Sequence, residues 1–202
     1  MSLWRAAEPL VLASQSAVRR AVLEGAGIPL EVVPADIDER GIAAQAGLDD
    51  PGEIATLLAR EKARAIAARM PGRLVLGADQ TLALGARAFS KPPDLAAARE
   101  QLKALRGATH ALHAAIALAR DGAIVFEHRA VALLTMRDFS DDFLDSYLAV
   151  AGMAVTTSVG AYQVERTGIQ LFERIDGDHF TIMGLPLLPL LEFLRQQKFL
   201  VD

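Results

Sequence analysis

The sequence predicts an α/β protein made of one domain, with a lobe around residues 108–160. Short apolar runs typical of buried strands, such as residues 10–13, alternate with segments whose apolar residues recur at helical spacing. Hydrophobic residues make up 52% of the 202 residues and aromatic residues only 5%, so we expect an aliphatic, helix-rich core. Neither an internal repeat nor a linker rich in proline and glycine is present. We therefore predict a single domain over residues 1–202.

The composition argues against several classes of protein. The formal net charge is −4 at pH 7, whereas dedicated nucleic-acid binders carry a basic footprint. The absence of cysteine excludes disulfides and thiolate metal sites. No apolar run approaches the roughly 18 residues of a membrane-spanning helix, and the N-terminal residues lack the pattern of a signal peptide. We therefore expect a cytoplasmic protein without nucleic-acid or membrane partners.

The first predicted unit, residues 10–27, joins a strand to a helix through a polar turn. Ser14 or Ser16 is expected to cap the helix by accepting a hydrogen bond from a free backbone N–H. Arg19 and Arg20 fall in the first helical turn, where cations oppose the helix dipole unless an anion lies between them and the amides. The segment is therefore either an anion site, most simply for phosphate, or an ordinary strand-to-helix junction with solvated arginines.

An acidic loop at residues 35–51 follows a second predicted strand at residues 30–34. Asp36, Asp38 and Glu39 lie close together at its start. Such a cluster is commonly just solvated, but directly after a strand it can also form a metal or catalytic edge. Glu39 is therefore a candidate site residue.

Residues 52–70 have the apolar spacing of an amphipathic helix. Glu61 falls inside its apolar stripe and Lys62 at the edge of that stripe. Two interpretations remain open, because long side chains can extend past the stripe to water, whereas a helix end that lines a cleft would direct the pair at a ligand.

A third strand, which is expected to be buried, is predicted within residues 73–80, with Asp79 at its carboxyl end. In open α/β sheets that edge is where ligands bind. Residues 82–89 resemble a small hairpin. Lys91 follows, and the two prolines after it restrict where the lysine points.

The remaining elements rest on the same kinds of local signal. Asp94 is expected to cap a helix that stops at Gly107, and the pair Asp121-Gly122 indicates a two-residue hairpin. The predicted segments are that helix at 94–107, strands at 109–120, 123–136, 160–163 and 168–175, and helices at 141–151 and 186–197.

The charged candidates share a position at or near junctions between predicted elements. The four histidines form no metal-binding pair on a helix, and no nucleophile elbow, Walker loop or G-x-G-x-x-G motif is present. Cations neutralise phosphate oxygens and carboxylates hold a hard metal ion, so the set predicts a polyphosphate site. Its members are Arg19, Arg20, Lys62, Lys91, Glu39 and Asp79.

Along nearly its whole length, the sequence resembles the Maf family of nucleoside triphosphate pyrophosphatases. No single motif decides this, but the ordered set is specific. The matching segments are LASQS at 12–16 with two arginines at 19–20, DIDER at 36–40, LAREKA at 58–63, GADQ at 77–80, SKP at 90–92, LRGATH at 105–110, VGAY at 159–162 and GLP at 184–186.

The resemblance implies roles for individual residues. In that family an A-S-x-S loop and the arginines after it bind phosphates, and the aspartate of G-A-D is the base. The residues implied here are Asp79, Glu39, Lys62 and Lys91 as catalytic, Asp79 and Glu39 as ligands of Mg²⁺ or Mn²⁺, and Ser14, Ser16, Val18, Arg19, Arg20, Gln80 and Glu165 as substrate-binding. The resemblance also implies an elongated Maf/ITPase-like α/β fold, with a long mixed sheet, surrounding helices and a cleft between two lobes, and a homodimer.

Two positions point to the base of the nucleotide. Gln80 and Glu165 resemble the 7-methyl-GTP pyrophosphatase branch, whereas pyrimidine-directed members tend to have Thr and Gln. A glutamate can accept hydrogen bonds from guanine and favours a base made cationic by methylation. Val18 stands where that branch often has Trp, so a cation–π contribution of about 0.5–2 kcal/mol is missing. We therefore expect the preference for 7-methyl-GTP over dTTP and UTP to be weaker than the branch implies. Ala114 stands where the family usually has threonine.

The expected reaction is hydrolysis of a nucleoside triphosphate to a nucleoside monophosphate and pyrophosphate, with Asp79 as the base. The alternatives are a dTTP- or UTP-directed house-cleaning pyrophosphatase, another phosphoanhydride hydrolase such as one acting on sugar nucleotides, and a nucleotide-binding regulator of cell division with little turnover. All the charged catalytic positions are filled, which favours an enzyme.

Overall fold

In the computed structural model, which describes residues 2–201, seven strands join into one mixed sheet. The strands are β1 (Leu10–Leu12), β2 (Leu30–Val32), β3 (Val75–Leu84), β4 (Arg87–Phe89), β5 (Thr109–Arg120), β6 (Ala123–Met136) and β7 (Phe172–Asp176). They pair in the order β2-β1-β3-β5-β6-β7, and β4 pairs with β3. The predicted mixed α/β class is confirmed.

Seven α-helices lie within the described residues, and most begin at a side-chain cap. They are α1 (Ala17–Gly25), α2 (Glu39–Ala46), α3 (Pro51–Ala67), α4 (Leu95–Leu105), α5 (Asp141–Ala151), α6 (His179–Ile182) and α7 (Leu187–Gln196). Ser16 caps α1 and Asp94 caps α4, as predicted. None of these helices has the length and apolarity needed to cross a membrane.

Contacts divide the chain into two compact units. The first contains residues 2–80, 113–130 and 178–201, and the second contains residues 81–112 and 131–177.

In the first unit, the two faces of the sheet carry side chains of different size. On one face, leucines and isoleucine of β1, β3 and β5 pack with residues of α1 and α7 such as Leu23 and Leu190. On the other face, alanines of β5 pack against alanines of α3. A Cβ atom on Gly77 of β3 would lie 2.1 Å from the carbonyl oxygen of Ala59, so α3 can lie this close only because Gly77 has no side chain.

In the second unit, β4 pairs antiparallel with the end of β3, and β7 pairs antiparallel with the end of β6. Helices α4 and α5 contact each other and the 3₁₀ segment Gly152–Thr156. The buried rings of His110 and Tyr162 lie beside Phe172 in this unit.

The predicted hairpin between β5 and β6 is confirmed. Asp121 and Gly122 both have positive φ, 51° and 77°. This left-handed pair matches the twist of the two flanking strands, which explains why the Asp-Gly signal is reliable here.

The prediction of a loop at residues 35–51 is wrong for Glu39–Ala46, which form α2. Asp38 caps this helix by accepting a hydrogen bond from the N–H of Gly41 at 3.0 Å, and Gly47 ends it in the left-handed conformation. No residue of α2 is buried, so the helix lacks the apolar periodicity on which the prediction relied.

Three strand predictions also need correction. β3 runs on to Leu84, so Asp79 lies inside the strand rather than at its end, although the pairing with β1 does stop at Leu76. Residues 160–163 do not form a strand, because Gly160 and Ala161 both have positive φ, 81° and 62°. Of the predicted strand at 168–175, the structure has Phe172–Asp176.

Candidate active site

The turn between β1 and α1 is held by the two serines predicted to bind phosphate. Ser16 Oγ accepts a hydrogen bond from the N–H of Arg19 at 3.3 Å, which caps α1. Ser14 is buried, and its Oγ accepts from the N–H of Ser16 at 3.3 Å. Both hydroxyls therefore fix the geometry of the helix N-terminus, the end that attracts anions.

The two arginines of α1 have different environments. Arg19 is buried and donates to the carbonyls of Ala78 at 2.8 Å and Gly184 at 2.9 Å, and to Ser14 Oγ at 3.2 Å. Arg20 is exposed and pairs with Glu24 at 2.7 Å on the surface of the helix. The structure therefore brings Arg19, but not Arg20, into the buried cluster.

Lys62 joins the two carboxylates predicted to hold a metal ion. Its Nζ lies 2.6 Å from Asp79 Oδ1 and 2.7 Å from Glu39 Oε1. Lys62 and Asp79 are buried, whereas the side chain of Glu39 is about half exposed. Of the two interpretations of this lysine, the structure rejects extension into solvent.

The close approach of α3 to the sheet explains how Lys62 reaches Asp79. The two residues lie on α3 and β3, where Gly77 and small alanines leave no side chains to separate helix and strand. Glu61, the neighbour of Lys62, pairs instead with Arg64 on the helix surface at 3.1 Å.

Burial and charge act in opposite directions on this cluster. Burial raises the pKa of Asp79 above its usual value, although Lys62 and Arg19 favour its charged form. Burial also lowers the pKa of Arg19, against the opposing effect of Asp79 and Glu39. A carboxylate in this setting is a stronger base than one in water, because its charged form is poorly solvated.

Gln80, the residue after Asp79, is tied to the segment that follows β7. Its Nε2 donates to the carbonyls of Thr181 at 3.0 Å and Ile182 at 3.1 Å. These bonds occupy its amide N–H groups, so the group that Gln80 can offer a ligand is its carbonyl oxygen, an acceptor.

Three further predicted residues lie outside the hydrogen-bonded cluster. Val18 is half-buried on α1. Lys91 follows β4 and Glu165 lies in a turn; both belong to the second unit and both are exposed.

A ready-made metal site is not present within residues 2–201, where no group of three or more histidine, aspartate or glutamate side chains converges. The carboxylates that do converge are those of Asp79 and Glu39, which share the Lys62 ammonium.

Sequence reasoning missed the backbone groups of this cluster. Arg19 contacts Gly184 across 165 positions of sequence, and Gln80 contacts Thr181 across 101. The one available signal was the GLP motif, whose glycine has φ +78° and leaves its carbonyl oxygen to Arg19.

The fold and the cluster together define an α/β protein with a capped helix N-terminus beside a buried group of cations and carboxylates. A family model described as Maf-like protein matches residues 9–197. The chain belongs to the Maf family, so the resemblance recognised in the sequence is confirmed.

The chain also resembles curated proteins over nearly its whole length. A nucleoside triphosphate pyrophosphatase of Rhodopseudomonas palustris (strain HaA2) is 60% identical, with 99% of each chain covered. A 7-methyl-GTP pyrophosphatase of Rhizobium etli is 50% identical, covering 93% of this chain and 95% of the relative. Among solved structures, a dITP/XTP pyrophosphatase from Mycobacterium abscessus is similar over 94% of both chains, with 16% identity and a TM-score of 0.42.

Proposed function

We propose that the protein is a nucleoside triphosphate pyrophosphatase that cleaves the bond between the α- and β-phosphates. The observation that carries the proposal is the contact of one buried lysine, Lys62, with two carboxylates, beside the buried Arg19 and a capped helix N-terminus. Cations and free backbone N–H groups attract phosphate oxygens, and a buried carboxylate is suited to accept a proton. Relatives up to 60% identical carry the name of this activity.

Asp79 is the proposed general base. Its oxygen would take a proton from a water molecule, whose oxygen bonds to the α-phosphorus while pyrophosphate leaves. The raised pKa of Asp79 strengthens it as a proton acceptor. Arg19, Lys62 and Lys91 would stabilise the negative charge that develops on the leaving group.

A divalent metal ion fits the cluster. Asp79 and Glu39 already bind one cation, the Lys62 ammonium, through a single oxygen each. Mg²⁺ in phosphate-transfer sites is held by one or two carboxylates together with substrate oxygens and water, so these two residues are a sufficient protein contribution. A bound Mg²⁺ or Mn²⁺ would polarise phosphate oxygens and lower the charge on the triphosphate.

We further propose a preference for 7-methyl-GTP among nucleotides. Gln80 can present an acceptor to a ligand, and the exposed carboxylate of Glu165 presents two more. Guanine offers N–H donors to such groups, and methylation at N7 adds a positive charge that a carboxylate favours. The 50% identical relative named 7-methyl-GTP pyrophosphatase supports this choice.

A pyrophosphate-release screen over 7-methyl-GTP, GTP, dTTP, UTP and CTP, with Mg²⁺ and with Mn²⁺, tests both levels of the proposal. We expect release from several nucleotides, with 7-methyl-GTP giving the highest kcat/KM. A faster dTTP or UTP would overturn the base preference alone. A protein that binds nucleotide without turnover would instead be the regulator considered above.

The matched variant for the screen is Asp79→Asn, which keeps the shape of the side chain and removes the base. Loss of a positioned base typically lowers kcat by about 100- to 10,000-fold. Near-normal kcat in Asp79→Asn would contradict the proposed mechanism. The homodimer implied by the family is tested separately, by light scattering across a range of protein concentrations.

A further inference from the structure

A second buried polar network lies in the second unit. The imidazole of His110 is 1% exposed, and its Nε2 lies 2.7 Å from the hydroxyl of Tyr162. Its Nδ1 is buried without a hydrogen-bond partner. Burying a polar nitrogen in this way is costly, which indicates that the single bond to Tyr162 is retained for a purpose beyond packing.

The network holds a strained stretch of backbone. Ala161 has φ +62°, a conformation that L-residues other than glycine rarely adopt, and it is fully buried. The hydroxyl of Tyr147 donates to the carbonyl of Ala161 at 3.1 Å, and Ser158 Oγ donates to the carbonyl of Tyr162 at 2.5 Å. Strain of this kind persists only where surrounding contacts enforce it, and it concentrates at functional sites.

Directly after this stretch comes the turn that carries Glu165. The N–H of Arg166 donates to the carbonyl of Gln163 at 3.1 Å, which places Glu165 at the third position of a four-residue turn. After the turn, the chain at Gly168 lies close to Gln163. A Cβ atom on Gly168 would lie 2.4 Å from the Gln163 carbonyl oxygen. The direction of the Glu165 side chain therefore depends on where Tyr162 and Gln163 are held.

The turn is packed incompletely on one side. A cavity of about 330 Å³ lies against it, and its wall includes Tyr147, Gln163, Arg166 and Gly168. The hydrogen bonds that hold the residues before the turn therefore contribute to fixing it: those to the carbonyls of Ala161 and Tyr162, and the bond from Gln163 Nε2 to Thr157 Oγ1 at 3.0 Å.

We propose that His110 and Tyr162 are positioning residues for base selection, because they fix the turn that presents Glu165 to the nucleotide. This inference rests on the proposed function, in which Glu165 contacts the base. It assigns the His110–Tyr162 pair no part in the cleavage step.

The test is the ratio of kcat/KM between the best and the poorest of the five nucleotides in the screen. The change that Glu165→Gln causes in this ratio is the reference with which the other variants are compared. Tyr162→Phe removes the hydroxyl and keeps the ring, and we expect it to lower the ratio by roughly tenfold, mainly through KM, because a small misplacement of a contact group has effects of this order. Thr135→Val is the matched control, since it removes the hydroxyl pair with Thr109 (Oγ1 to Oγ1, 2.9 Å) in the same unit and should leave the ratio unchanged.

Thermal unfolding separates positioning from folding. Ala161→Gly adopts φ +62° without strain and keeps the hydrogen bonds to the Ala161 and Tyr162 carbonyls, so it should unfold at a temperature no lower than the parent protein and retain the ratio. A merely structural role for the network predicts that Tyr162→Phe unfolds at a lower temperature while the ratio stays unchanged.

The outcomes distinguish this inference from the proposed function. Absence of pyrophosphate release by the parent protein overturns the proposed function. Normal release with a ratio unaffected by Tyr162→Phe, or by Glu165→Gln, overturns the positioning role alone.

Discussion

Lys62 is the residue through which Asp79 and Glu39 are held together. Its ammonium lies within 2.7 Å of both carboxylates, at the place where their charges would otherwise repel each other. It acts as an internal counter-ion for the cluster. We therefore expect a metal ion to compete with Lys62 for the same oxygens.

Lys62→Met removes this counter-ion while keeping the length of the side chain. We expect the affinity of the nucleotide-free protein for Mn²⁺ to rise by roughly tenfold or more, because two carboxylates lose their partner. Electron paramagnetic resonance of free Mn²⁺ measures this without reference to activity. Lys103→Met, which changes an exposed lysine, should leave the affinity unchanged, and an unchanged affinity in Lys62→Met would contradict the competition.

His110 makes the stability of the protein depend on pH. Burial lowers its pKa from 6.5 to about 4. Between these values the unfolded chain binds a proton that the folded protein does not, so stability is full above pH 6.5 and is lost as the pH falls toward 4. The loss attributable to this residue approaches about 3 kcal/mol.

The measurement is the free energy of unfolding in urea at pH 7 and at pH 4.5. His110→Gln should show a smaller decrease between the two pH values than the parent protein. His179→Gln, which replaces an exposed histidine, should retain the full decrease. An equal decrease in all three proteins would mean that other groups cause it.

At the scale of elements, the packing of α3 on the sheet sets the position of Lys62. At Gly77 the strand faces Ala59 and Ala63 of the helix, so helix and strand approach more closely there than a larger side chain would permit. The short distance between Lys62 Nζ and Asp79 Oδ1, 2.6 Å, thus depends on the small side chains where α3 faces β3.

Gly77→Ala tests this dependence. The added methyl would lie 2.1 Å from the Ala59 carbonyl oxygen, so α3 has to move, and we expect a loss of about 1–3 kcal/mol in stability together with lower kcat. Gly25→Ala is the matched control, because a Cβ there meets no atom within 4 Å. Thermal unfolding and pyrophosphate release measure the two effects. Full activity in Gly77→Ala would separate the helix position from catalysis.

Elements with strong local signals were predictable from the sequence. Each of these signals depends only on residues that are close together in the sequence. They are the helix caps at Ser16 and Asp94, the Asp-Gly hairpin and the leucine pattern of α7. Helix α2 was missed because nothing in it is buried, and the segment around Gly160 was misassigned because tertiary hydrogen bonds impose its positive φ.

The site was predictable in its charged residues and less so in its geometry. The charge and position of Lys62 and Asp79 made them candidates, and the family resemblance supplied their roles. The distinction between Arg19 and Arg20 depends on carbonyl groups of Ala78 and Gly184, which no local pattern reveals.

At the scale of the whole molecule, β3, β5 and β6 each contribute residues to both compact units. Unfolding either unit would break strands that the other needs, so we expect one cooperative thermal transition, in agreement with the single domain proposed over residues 1–202. In calorimetry, the measured enthalpy should equal the van't Hoff enthalpy. Two resolved transitions would show that the units fold independently.

The bonds from Arg19 to Gly184 and from Gln80 to Thr181 have a consequence during synthesis. A nascent chain that has emerged as far as Gln80 already contains the proposed base Asp79, together with Glu39 and Lys62, yet the carbonyls of Thr181 and Gly184 come about a hundred residues later. An incomplete chain therefore lacks part of the framework that orients Arg19 and Gln80. We expect a protein truncated before residue 181 to release no pyrophosphate from nucleotides.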